Sequence, residues 1–177
     1  MSKRWVAFFS QSGSEINAVS KQLGFYPHIC ITNKSSLDDV NSELKTNTTI
    51  VRTNKKLTEE DYVHLIGYPT NTIVTLNGWL RIVPRAICET YTVYNGHPGL
   101  ITKYPELKGK DPQQKAIILG LETSGCVIHK VIPEVDSGSI LAEEEVSIKG
   151  LEVSEVFAKL HNTSVKLWVN FLKTELL

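Results

Sequence analysis

Cysteine is scarce and scattered. Cys30, Cys88 and Cys126 are the only three in 177 residues, with no CxxC spacing and no cysteine–histidine cluster. Neither a disulfide framework nor a structural zinc site is expected, and no metal is called for. Charge of one sign is missing too: nineteen Lys and Arg balance nineteen Asp and Glu. The basic excess of a nucleic-acid binder is absent, so no nucleic-acid partner is expected, although a neutral total still permits a local anion site built from backbone N–H groups. Long apolar runs are lacking as well. Trp5 to Phe9 is continuous but too short for a secretory core or a membrane span, so the expectation is a cytoplasmic chain with no membrane partner. The glycosylation-type triplets at Asn47 and Asn162 then read as chance. Repeats and low-complexity segments are absent.

What is present is 41% hydrophobic and 21% charged residues, the balance of a folded domain. The length suits one domain over residues 1–177. Short β-type runs alternate with helical stretches. Strands are expected at Trp5 to Phe9, His28 to Thr32, Thr48 to Arg52, Thr72 to Leu76 and Tyr91 to Tyr94. Between them, helices are expected from Glu15 to Leu23, from Ser35 or Ser36 through Leu44, and after Thr58, where Asp61 completes a near capping box. That alternation predicts a parallel sheet with helices on both faces. Beyond the polar loop Pro98 to Pro112 come a helix near Asp111 to Leu119, strands at Gly125 to Ile132 and Ile140 to Val146, and a final helix from about Val153 to Leu172. The loop between the last two strands is hairpin-sized, which predicts antiparallel pairing. The fold class is therefore α/β: a three-layer, mostly parallel, Rossmann-like sheet with an antiparallel hairpin in its C-terminal part.

Ligands of such sheets bind outside the carboxyl ends of the strands. Ser10 to Glu15, Asn77 to Arg81 and Asn95 to Gly99 each follow a strand and should converge on one edge. In Asn95-Gly96-His97-Pro98 a carboxamide and an imidazole sit two residues apart, a pattern that taken alone is structural more often than catalytic. Asp136, in the turn Val135-Asp136-Ser137-Gly138, has turn chemistry as its ordinary role. Together the three supply what one-carbon acyl transfer needs: a carboxylate to orient or charge the imidazole, an imidazole to move protons, and an amide to donate to an oxyanion. His129 shares the predicted strand before Asp136, where packing and a secondary site role both remain open. His28, His64 and His161 show no ligand spacing. Lys103, Lys108 and Lys110 read as solvated loop charges, with contact to an anionic substrate as the alternative.

The ordered set Ser10-Gln11-Ser12-Gly13-Ser14, Asn77-Gly78-Trp79-Leu80-Arg81-Ile82-Val83-Pro84, Asn95-Gly96-His97-Pro98-Gly99-Leu100 and Val135-Asp136-Ser137-Gly138 resembles the folate-dependent formyltransferases, over about Val6 to Val146. The resemblance implies catalytic roles for Asn95, His97 and Asp136. It implies that the backbone of Trp79, Leu80, Arg81, Ile82 and Val83 holds the pterin of 10-formyltetrahydrofolate, with Ile132, Pro133, Glu134 and Val135 as the other wall; the Arg81 side chain is an alternative contact for the glutamate tail. Ser12, Gly13, Ser14 and Glu15, with Gly96 and Pro98, would hold the amine acceptor, its phosphate at a helix N-terminus. The implied reaction is attack of a primary amine on the formyl carbon, releasing tetrahydrofolate.

Three departures from the family pattern concern the acceptor. Gln11 stands where the family turn has Gly, and Glu15 where it has Asn, and a carboxylate there opposes a phosphate unless it points away. Ser164 also stands where the glycinamide enzymes of the family have Glu. The acceptor implied first is glycinamide ribonucleotide, in purine biosynthesis. A nucleotide-linked amino sugar is the alternative amine, and a folate-binding module without catalysis is the alternative of another class.

Overall fold

Alternation along β1 (Arg4–Phe9) separates two cores. Trp5, Ala7 and Phe9 face a core shared with α1 (Ser14–Leu23) and α6 (Val153–Leu176). Val6 and Phe8 face the other way, into a core shared with α3 (Glu59–Ile66) and α4 (Arg85–Thr90). All five side chains are buried, the two-sided burial that a central parallel strand requires. The computed structural model describes residues 2–177.

The other strands are β2 (Ile29–Thr32), β3 (Thr49–Arg52), β4 (Thr72–Leu76), β5 (Thr92–His97), β6 (Thr123–Lys130) and β7 (Ile140–Ser147). They form one sheet in the order β3-β2-β1-β4-β5-β6-β7. β1 to β5 run parallel, and β6 is antiparallel to both β5 and β7. This is the mostly parallel sheet with a C-terminal antiparallel hairpin that the strand–helix alternation predicts.

Strand order reverses between β1 and β4. From β1 the chain moves outward to β2 and β3, then returns to β4 on the opposite side of β1. At such a switch the outgoing loops part and leave a crevice beyond the carboxyl ends. Backbone bonds stitch its floor: Ser10 N–H donates to Gly78 O at 3.0 Å, Asn77 N–H to Phe8 O at 2.8 Å, and Leu80 N–H to Ser10 Oγ at 2.9 Å.

Four elements depart from the sequence expectation. The helix expected from Ser35 or Ser36 through Leu44 is broken in two: Ser36 caps a 3-10 turn, Leu37–Asp39, and Asn41 starts afresh as the cap of α2 (Ser42–Asn47). Asn41 N–H is taken by Ser12 O at 2.8 Å, so a tertiary contact decides the break. α4, only six residues long, has no counterpart in the expectation. β5 continues through His97 instead of ending at Tyr94, and α6 runs on to Leu176. Helix α5 spans Pro112–Ile118. No described helix is long and apolar enough to cross a membrane.

Candidate active site

Because β5 extends to its sixth residue, Asn95 and His97 project from one face of a strand and not from a turn. Gly96 between them faces α6, where a Cβ would lie 2.5 Å from Trp168 Nε1; only glycine lets the helix close on the back of this strand. β6 lies alongside with His129 in register with Asn95. A register shift at Ile128 and His129 marks a bulge against β7, a device that re-aims a side chain. The chain then turns back. Val131 N–H bonds Val93 O at 2.9 Å, and Asp136, with φ 49°, adopts the left-handed conformation that aspartate tolerates in turns.

These elements bring four side chains together. Asp136 Oδ2 lies 3.5 Å from His97 Nδ1, and Asp136 Oδ1 lies 3.3 Å from His129 Nε2. Asn95 Nδ2 is 3.2 Å from His129 Nε2 and 3.5 Å from Asp136 Oδ1. His97 and His129 are buried, and the Asp136 side chain is 8% exposed. Two backbone groups from the loop before α5 complete the arrangement: Gly109 N–H donates to Asp136 Oδ2 at 2.8 Å, and His97 Nε2 lies 2.8 Å from Leu107 O.

The far contacts decide where the protons are. A carbonyl oxygen only accepts. His97 Nε2 against Leu107 O therefore carries hydrogen, and so does His129 Nδ1, 2.9 Å from Lys130 O. In the neutral rings, His97 Nδ1 and His129 Nε2 then turn lone pairs toward the Asp136 carboxylate. Burial pushes the His97 imidazole below its usual value, and the Asp136 charge only partly offsets this. For Asp136, burial alone would raise the carboxyl, but His129, His97 and the Gly109 N–H together hold it below the usual carboxylate range. An ionised Asp136 thus faces His97 Nδ1 and His129 Nε2 at 3.3–3.5 Å, and a proton placed among the three is shared.

The residues singled out for folate divide. Trp79 and Val83 turn into the α3 and α4 core, where Trp79 Nε1 donates to Tyr62 Oη at 3.1 Å and its ring meets Phe8 edge-on at 5.2 Å. Val83 is thus core, where a pocket wall was expected. Leu80 and Ile82 are 64% and 75% exposed, Val135 is 55% exposed, and Arg81 and Glu134 are exposed; Ile132 and Pro133 are half-buried. The backbone groups of Arg81 and Ile82 have no hydrogen-bond partner among the described residues.

The residues singled out for the acceptor follow or end β1 and β5, at the carboxyl edge near the switch point. Gly13, with φ 77°, starts α1, and a Cβ there would meet Leu44 at 2.6 Å. Ser14 is exposed; Ser12, Gly96 and Pro98 are half-buried. Glu15, expected to oppose a phosphate, is engaged: Asn77 Nδ2 donates to its Oε1 at 2.9 Å. Sequence reading gave His129 only a secondary place and missed Leu107 and Gly109, which act through backbone atoms that leave no side-chain signature. A separate open groove of about 560 Å³ lies at the far edge of the sheet between β3 and α3, away from this cluster.

Comparison with known proteins follows the same lines. The chain is 33% identical over 147 residues to a methionyl-tRNA formyltransferase of Campylobacter jejuni, covering 83% of this chain and 41% of that protein. The chain spans about two fifths of the length of the curated relatives it matches first. Among solved structures, glycinamide ribonucleotide transformylase 1 of Geobacillus kaustophilus superposes with a TM-score of 0.83 at 19% identity, covering 99% of this chain and 100% of that one. Phosphoribosylglycinamide formyltransferase of Anaplasma phagocytophilum gives 0.82 at 19% identity, covering 98% and 86%; at these identities the likeness is one of fold. Residues 5–172 match the family described as formyl transferase, and with nearly its whole length so matched, the chain belongs to the formyl transferase family.

Proposed function

We propose that this protein transfers a formyl group from 10-formyltetrahydrofolate to a primary amine. The observation that carries the reading is the Asn95, His97, His129 and Asp136 cluster at the carboxyl edge of the sheet. The exposed apolar side chains Leu80, Ile82 and Val135 and the unpaired backbone groups of Arg81 and Ile82 suit a flat heteroaromatic ring with polar edges, the usual mix in a small-molecule site. The acceptor enters from the crevice between Ser12 to Glu15 and Asn77.

The amine nitrogen attacks the formyl carbon, forming the new C–N bond and placing negative charge on the formyl oxygen. Asn95 Nδ2, held only by long contacts, is the donor free to turn to that oxygen. The proton lost by the amine goes to the lone pairs around Asp136, shared with His97 Nδ1. Collapse breaks the bond between the formyl carbon and N10, and the stored proton passes to N10, giving the formamide and tetrahydrofolate.

Glycinamide ribonucleotide is the acceptor to test first, because the structural neighbours bear its name. A second reading, favoured by the names of the sequence relatives, sends the formyl group to the amine of an aminoacyl-tRNA. Steady-state assay of folate release with 10-formyltetrahydrofolate and a panel of amines tests the function. Formamide formed in step with tetrahydrofolate is expected. No transfer to any amine, with no calorimetric binding of a reduced folate, would contradict it.

A further inference from the structure

Four hydrogen-bonded side chains lead from the core toward the switch point, their direction fixed from the inside. Trp5 Nε1–H donates to Thr75 Oγ1 at 2.9 Å; an indole nitrogen can do nothing else. The Thr75 proton is therefore free to go onward, to Asn77 Oδ1 at 2.7 Å. That contact settles which end of Asn77 is oxygen. Its Nδ2 points outward and donates to Glu15 Oε1 at 2.9 Å. Trp5, Thr75 and Asn77 are 1%, 0% and 7% exposed, whereas Glu15 is half-buried at the start of α1. The relay demands an acceptor at Oε1 and leaves Oε2 without a hydrogen-bond partner among the described residues.

A glutamate in a first helical turn is favourable for the helix by itself, and that needs no buried relay to aim it. The relay crosses from β1 to β4, the two strands between which the order reverses, and ends where ligands of such sheets bind. We propose that Glu15 reads the acceptor: the amine substrate presents a hydrogen-bond donor, a hydroxyl or ammonium group, to Oε2, and an acceptor bringing a phosphate to this end of the crevice is disfavoured. The inference builds on formyl transfer only in taking the crevice as the acceptor's. A phosphate facing a carboxylate fixed in this way meets like-charge repulsion that a crevice screens less than open water does.

Glycinamide ribonucleotide and glycinamide riboside differ by the phosphate alone. Glu15→Gln keeps an oxygen for Asn77 and replaces Oε2 by an amide nitrogen of similar size. Wild type should favour the riboside in kcat/KM. Glu15→Gln should shift the ratio toward the ribonucleotide by about tenfold or more, mainly through KM, as expected when one like charge is removed from a partly screened site. Calorimetry with ribose 5-phosphate supplies a readout that needs no turnover, and Glu15→Gln should bind it about tenfold more tightly. If that affinity shifts while no amine is formylated, the formyl-transfer reading falls and the role of Glu15 stands. If neither the ratio nor the ribose 5-phosphate affinity changes by more than about twofold, a shift too small for a removed charge, the proposal is overturned whatever the protein catalyses.

Discussion

Between Trp5 and Glu15 each hydrogen bond has one direction, whereas around Asp136 a proton has three groups to choose from. In the first network each donor meets one acceptor at 2.7–2.9 Å, and the chain ends on a carboxylate oxygen. In the second, His97 Nδ1 and His129 Nε2 each face the Asp136 carboxylate, at 3.5 and 3.3 Å, and Asn95 Nδ2 and Gly109 N–H also donate into the group. Both networks sit at the carboxyl edge of one sheet. The parallel half makes a saturated network, which aims a charge. The antiparallel half, where β6 and the turn after it fold back on β5, makes an unsaturated one, which can hold and release a proton. Sheet direction decides this: antiparallel pairing of β6 with β5 sets His129 beside Asn95, and the turn between β6 and β7 folds Asp136 back onto the same group.

The largest effect should come from emptying the unsaturated network. His97→Ala and Asn95→Ala are each expected to cut turnover by about 10²–10⁴-fold, measured as kcat on protein whose circular dichroism is unchanged. A folded His97→Ala protein keeping more than about a tenth of wild-type turnover, a loss too small for either role, would move the chemistry to His129. Asp136→Asn should lose turnover on the same scale, with a lowered melting temperature at neutral pH because the depressed carboxylate no longer stabilises the fold. Its amide oxygen can serve Gly109 and its nitrogen can donate to a histidine lone pair, so the substitution saturates the network that catalysis needs open. Combined with His97→Ala it should cost far less than the sum of the two, as for groups that work through one another.

Breaking the saturated network should show in stability. Thr75→Val leaves the Trp5 indole N–H buried without an acceptor, and urea denaturation should register a loss of about 1–3 kcal/mol.

The pH dependence tests the Asp136 network more gently. The His97 value is depressed in the folded state, so its contribution is intact above the unfolded value near pH 6.5 and is lost as the pH falls below it. The depressed Asp136 carboxyl adds a second decline, beginning below about pH 4. Thermal melts against pH should show both limbs in wild type, and the first should shrink in His97→Ala. Smallest of all, Arg85→Ala removes an exposed i,i+4 pair with Glu89 on α4, and the melting temperature should not move measurably.

Much of this edge was legible in the sequence, because strand ends are. The runs ending at Phe9, Leu76 and Tyr94 place three polar segments together from the amino-acid pattern alone. The reach of β5 was not legible, since Asn95-Gly96-His97-Pro98 has the composition of a turn; what holds it extended is pairing with β6 and the fit of Gly96 against Trp168. The split at Val40 is equally hidden, because Leu37, Val40 and Leu44 keep a helical period while the competing contact, Asn41 with Ser12, lies far off in sequence. Glu15 was visible as a charge in an awkward place. Its partner Asn77, 62 residues away, was visible only as part of a motif, and the relay behind it joins residues that no local pattern connects.

The fit of Trp168 against Gly96 has a consequence in time. The β5 strand carries its site residues on one face and borrows its back wall from α6, the last element of the chain described. A chain emerging in order of synthesis thus holds Asn95, His97, His129 and Asp136 some thirty residues before Trp168 arrives to seat the strand between them. Until then Gly96 is a bare, flexible link between the two groups that must point the same way. The geometry of the site ripens with the packing of the final helix, so a ribosome-bound chain stalled short of α6 would own every reactive group and still lack the strand that aligns them.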